Sequence, residues 1–176
     1  NDSVWMTNQK DMYKIFGDLP EVEAGGAKEF LEFINNKVKP IINDSYHVDA
    51  SDQTYCGFSL GGLFGLFTLF TSPKSFNRYV IGSPSIWWDD RHILEVEKEY
   101  SENNKHLPAK IFLSIGSLEE EEGIDFKMVT NVKSLSKTLK KRNYQGLTVN
   151  TAILEDETHC SGIAATLNRG LRNVFS

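Results

Sequence analysis

A serine hydroxyl is a weak nucleophile at its own pKa, so a chain that uses one in catalysis must expose it on a sharp turn and bring a base to it. Gly57-Phe58-Ser59-Leu60-Gly61 matches G-x-S-x-G, the pattern that perches a serine on a strained strand-to-helix turn. Three fixed positions of common residue types arise by chance in about one chain in twenty of this length, so the pattern counts only in the right context. Crowding explains the glycines, and a β-carbon at either Gly57 or Gly61 is expected to clash. The same turn would aim the Leu60 amide at a developing oxyanion. Among the four histidines, His47 precedes the Ser59 strand, His92 opens a helix and His106 lies in a polar loop. His159 follows the last strand, where a base for Ser59 is expected. An acid that orients the base should follow an intermediate strand, giving the chain order serine, acid, histidine. Glu119, Glu120, Glu121 and Glu122 follow the strand ending at Gly116. A run of glutamates is ordinarily a solvated loop, so at least three of them should be nothing more. Glu119 is the favoured acid, with Glu120 or Asp125 as substitutes.

The elements that must position these groups can be read from periodicity. Before Gly25 the pattern is weak, and residues 1–24 are expected to be mostly loop. From Ala27, the residues Phe30, Phe33, Ile34, Val38 and Ile41 follow helical spacing, predicting a surface helix that ends near Pro40. Thr54 to Phe58 reads as a short buried strand, with Cys56 as a small buried hydrophobe. Leu60 to Phe70 is apolar nearly all round, as a central helix would be. Further strands are expected at Arg78–Ile81, Ile111–Gly116 and Leu147–Leu154. Helices are expected over Asp89–Tyr100, along Met128, Val132, Leu135 and Leu139, and along Ala164, Leu167, Leu171 and Val174. A helix followed by four strand-helix repeats demands a parallel sheet with right-handed crossovers.

With these residues placed, the chain resembles the esterase branch of the α/β-hydrolases, the group that holds siderophore trilactone esterases and esterase D-like enzymes. Gly57 to Phe64 is similar to the family's nucleophile elbow, and Gly116-Ser117-Leu118-Glu119 to its acid loop. Thr158-His159-Cys160-Ser161, with Leu167, Gly170 and Leu171 beyond, resembles its histidine loop and final helix. Gly82-Ser83-Pro84-Ser85-Ile86-Trp87-Trp88 is the most diagnostic segment, since a generic hydrolase would not require it. The resemblance implies an α/β-hydrolase with a parallel sheet and helices on both faces. It also implies that the strands normally preceding this point, with the loop that donates the second oxyanion amide, are missing here. Residues 25–176 are then the C-terminal part of a catalytic domain, and 1–24 are unassigned. Trp87 or Trp88 would line the acyl or aromatic part of a substrate pocket, although aromatic residues also pack under loops.

Composition narrows the partners. A net charge of −5 over 176 residues, without a basic stripe, argues against nucleic acid. The 40% hydrophobic and 24% charged fractions are those of a soluble globular chain, and no segment reaches the roughly 20 apolar residues of a membrane helix. Cys56 and Cys160 form no C-x-x-C pair, so neither a zinc site nor a disulfide framework is indicated. The chemistry needs no cofactor and no metal. Asn1-Asp2-Ser3-Val4 carries no initiator methionine or leader, and a truncated start would look the same; the compartment stays open, with the cytoplasm preferred. An open sheet edge would invite association, so a homo-oligomer is among the expectations. The leading expectation is a serine carboxylester hydrolase acting on small or cyclic esters, a siderophore trilactone among them. An acyltransferase of the same fold and a non-catalytic binding module are the alternatives.

Overall fold

The computed structural model describes residues 25–120 and 125–176. Helix α1, Ala27–Phe33, runs through a π-helical stretch, Ile34–Val38, into α2, Lys39–Ser45. Four strand-helix units follow: β1 Thr54–Phe58 and α3 Leu60–Thr71; β2 Arg78–Gly82 and α4 Trp88–Asn103; β3 His106–Gly116 and α5 Met128–Arg142; β4 Gln145–Leu154 and α6 Gly162–Val174. All three strand pairs are parallel, in the spatial order β1-β2-β3-β4. Parallel strands need crossovers, and the helices between them supply these while covering the apolar sheet.

The two faces of the sheet are built differently. On one, Tyr79, Ile81, Ile111 and Leu113 are buried with Leu66 and Leu69 of α3, Ile93 of α4, and Val132, Leu135 and Leu139 of α5. On the other, α6 is the described helix that packs on the central strands, and Val80 and Phe112 meet Val174. The sheet-facing residues of α6 are Gly162, Thr166, Gly170 and Val174. A β-carbon on Gly170 would lie 2.3 Å from Val80 Cγ1, so the helix backbone sits almost directly on the strand. Ser114 and Thr166 share a buried hydrogen bond of 2.7 Å at this contact. The expected closing helix is present, and of the residues that mark it Val174 is buried while Leu167 and Leu171 remain 41% and 40% exposed, because small residues give the closer approach.

Four expectations change. The first helix does not stop at Pro40. Lys39 already donates to Ile34 in the wider π-helical spacing, so a residue without an amide hydrogen is tolerated there and α2 continues to Ser45. Its expected inner face is also turned out: Leu31 is the buried member, and Phe30, Phe33 and Ile41 are exposed. Cys56 is exposed. It points to the α6 side of the sheet, where α6 covers β2 and β3 and not β1, one of the two edge strands among the described residues. His106, placed in a loop by its polar neighbours, instead opens β3.

Helix α4 begins with a left-handed turn: Asp89, Asp90 and Arg91 all have positive φ. Arg91 fastens that turn, donating to Asn131 Oδ1 and to the Asp125 carbonyl. The far part of α4 is tied by Glu97, which is buried and accepts two hydrogen bonds from the Arg142 guanidinium, at 3.0 and 2.9 Å, and one from Tyr144. A buried carboxylate persists only when its lone pairs are filled in this way.

Candidate active site

Ser59 lies between β1 and α3 with φ 58° and ψ −120°, a conformation costly for a residue with a side chain, of order 1–3 kcal/mol. The neighbours hold it there. Its amide donates to the Gly82 carbonyl at 3.0 Å, and its own carbonyl accepts from Leu63 and Ser85 at 3.0 and 3.1 Å. Crowding accounts for Gly57, where a β-carbon would sit 2.4 Å from the Gly61 carbonyl oxygen. It does not account for Gly61, where the nearest atom would be 3.8 Å away, an ordinary contact. The second tight position is Gly62, 2.9 Å from the Gly82 oxygen. Leu60 opens α3 and so belongs to the first helical turn, whose amides lack intrahelical acceptors.

His159 comes from the turn between β4 and α6. Thr158 donates to Ser161 Oγ and the Gly162 amide to the Thr158 carbonyl, closing the turn. The ring lies 5.1 Å from that of Phe58. Its Nε2 is 3.0 Å from Ser59 Oγ and its Nδ1 is 2.6 Å from Glu119 Oε2. One tautomer satisfies both contacts: Nδ1–H donates to the carboxylate and Nε2 accepts the serine hydroxyl. Glu119 is 8% exposed. Its other oxygen, Oε1, accepts from the Ser83 hydroxyl at 2.6 Å and from the Gly116 amide at 2.8 Å.

The alternative acids point elsewhere. Glu120 turns to the start of α5, accepting from the Thr130 amide and hydroxyl. Burial pulls its carboxyl upward, but the bonds from Thr130 and Val129 outweigh that and hold it below the usual range. Asp125 is exposed and faces Lys127 and Arg91, which keep it ionised at lower pH than usual. Glu121 and Glu122 lie outside the described residues.

Beside Leu60 is an open cleft of about 630 Å³ between α1, α3 and α4, with Leu63, Phe64, Phe67, Trp88 and His92 among its lining residues. Trp88 is thus on its wall. Trp87 is not among the lining residues: it stacks on Phe126, with ring centroids 4.0 Å apart, and packs on the core. Ser83 was visible in the sequence only as part of a diagnostic segment, and nothing in its spacing pointed to a contact with Glu119. No group of three or more His, Cys, Asp and Glu among the described residues is placed to hold a metal ion, and no described helix is long and apolar enough to cross a membrane.

A parallel sheet covered by helices on both faces, with a serine on the sharp turn between strand and helix, is the core of an α/β-hydrolase. The family described as "Putative esterase" matches residues 7–160, and the chain belongs to it. It is 36% identical over 152 residues to the ferri-bacillibactin esterase BesA of Bacillus subtilis, covering 85% of this chain and 52% of that protein. It is 31% identical over 175 residues to the siderophore triacetylfusarinine C esterase of Aspergillus fumigatus, covering 88% of this chain and 60% of the relative. Among solved structures, the BES protein of Bacillus cereus superposes with a TM-score of 0.78 at 37% identity, over 89% of this chain and 57% of that one. The chain therefore spans between half and two thirds of the length of these relatives.

Proposed function

We propose that the chain carries the reacting groups of a serine carboxylester hydrolase. Ser59 attacks the ester carbonyl, His159 takes its proton and returns it to the leaving alkoxide, and Glu119 holds the imidazole in the required tautomer. The Leu60 amide stabilises the oxyanion. Water then cleaves the acyl-enzyme by the same route. The observation that carries this reading is the unbroken chain from Ser59 Oγ through His159 to Glu119, at 3.0 and 2.6 Å. The Trp88 cleft, adjoining Leu60, would take the acyl or aromatic part of the substrate. Similarity to esterases named for bacillibactin and triacetylfusarinine C supports a siderophore ester, cyclic trilactones included, as the substrate class. In this reading residues 25–176 supply nucleophile, acid, base and one oxyanion donor. The second donor is assigned to the part of the longer relatives that lies outside the match.

A fluorophosphonate probe tests the central step, because only a base-activated serine reacts with it. Wild type should label and Ser59→Ala should not, with hydrolysis of p-nitrophenyl butyrate lost in parallel by roughly 10⁴-fold or more. A folded wild-type chain that neither labels nor hydrolyses ester would overturn the reading.

A further inference from the structure

Ser83 lies outside the chain from Ser59 to Glu119 and closes it from behind. Its side chain is fully buried, and its hydroxyl donates to Glu119 Oε1 at 2.6 Å. With the Gly116 amide on the same oxygen at 2.8 Å, Oε1 has two donors and Oε2 is left to His159. The last torsion of a glutamate is broad, so a carboxylate is not oriented by its own rotamer preference and needs donors to fix its plane. Ser83 is itself held in a costly conformation. Its φ is 41°, and its amide donates to the Ser114 carbonyl at 2.8 Å. A side-chain-bearing residue stays in that region only where its surroundings over-determine it. The same short segment also reaches the nucleophile: the Ser85 amide donates to the Ser59 carbonyl, and Ser85 Oγ lies 3.4 Å from Ser59 Oγ.

We propose that Ser83 is a positioning residue for ester hydrolysis: by occupying Glu119 Oε1 it sets the carboxylate plane so that Oε2 faces His159 Nδ1. The segment Ser83-Pro84-Ser85 thereby references acid and nucleophile to one piece of backbone. The inference rests on the esterase reading above.

The test compares kcat and KM for p-nitrophenyl butyrate in wild type, Ser83→Ala, Glu119→Ala and the double variant. Ser83→Ala should lower kcat about tenfold with KM within about twofold, as expected for losing one charge-assisted hydrogen bond. In the Glu119→Ala background the same change should lower kcat by less than about twofold, because the carboxylate it orients is gone. A kcat within twofold of wild type for Ser83→Ala, or equal losses in both backgrounds, overturns the proposal. Should Ser83→Ala not fold, Ser83→Cys keeps the volume while weakening the donor and carries the same comparison. A wild type that labels with fluorophosphonate while Ser83→Ala and Ser83→Cys keep full kcat sinks this inference alone. A wild type that does neither sinks the esterase reading, and this one with it.

Discussion

Glu119 and Ser59 meet opposite nitrogens of one imidazole, and the two are held by different means. Glu119 is buried, follows the interior strand β3 and has both oxygens committed: Oε1 to Ser83 and Gly116, Oε2 to His159. Ser59 follows β1, one of the two edge strands of the described sheet, and among the described residues its hydroxyl meets His159 and, at 3.4 Å, Ser85. Hydrogen bonds to the carboxylate define the acid; backbone packing and a left-handed φ define the nucleophile. The division suits the chemistry. An acid that never leaves its place can be fully bonded, whereas a nucleophile that must form a bond to substrate keeps its oxygen free and is aimed by its main chain.

The comparison breaks most readily on the acid side. Glu119→Gln should lower kcat by about 10⁴-fold, since an amide cannot hold the imidazole in the tautomer that accepts the serine proton. Steady-state kinetics on the folded variant would measure it, and a loss below tenfold would place orientation elsewhere.

On the nucleophile side the prediction concerns stability. Gly57→Ala forces a methyl group against backbone, 2.4 Å from the Gly61 oxygen, and should cost about 1–3 kcal/mol, a fall of roughly 3–9 °C in melting temperature. Gly61→Ala, inside a helix and with no neighbour nearer than an ordinary 3.8 Å contact, should change stability by less than about 1 kcal/mol. Calorimetry on the pair decides the matter: equal losses would mean that crowding is not what separates these glycines.

The smallest effect expected is a pH dependence in the same place. Burial, followed by the charge of Cys56, pushes the Tyr55 phenol from 10.0 up to about 12. A phenol with a raised folded-state value keeps its proton longer in the native chain, so its contribution is complete below about pH 10 and is lost as pH rises toward 12. Melting temperature plotted against pH over that interval should fall less steeply in Tyr55→Phe. Tyr79 and Tyr144, also pushed upward by burial, leave part of the slope in place.

The central strands were legible because parallel strands buried on both faces, as β2 and the second half of β3 are, leave short apolar runs between breakers. The serine turn was legible for a different reason, namely that its glycines carry a fixed spacing. Helix α6 was legible as an element, but the face it turns to the sheet was not, since hydropathy ranks Leu167 and Leu171 above Gly170 and has no means of registering a backbone lying on a strand. Pro40 was read as a stop because a π-helical stretch has no sequence pattern of its own. Cys56 was read as buried because its residue type does not say which strand lies at an edge. The bond from Ser83 to Glu119 joins groups 36 positions apart, a pairing that only the folded sheet creates.

Tyr55 shows what the glycines near the nucleophile accommodate. A β-carbon on either Gly57 or Gly65 would stand 2.6 Å from the same Tyr55 ring carbon, and the Tyr55 hydroxyl donates to the Gly61 carbonyl. The ring is a peg filling a slot cut by absent side chains. A re-engineered version of this turn would have to change peg and slot together: bulk added to the slot evicts the ring, and trimming the ring leaves a hollow beneath the bend and removes the tether between strand and helix.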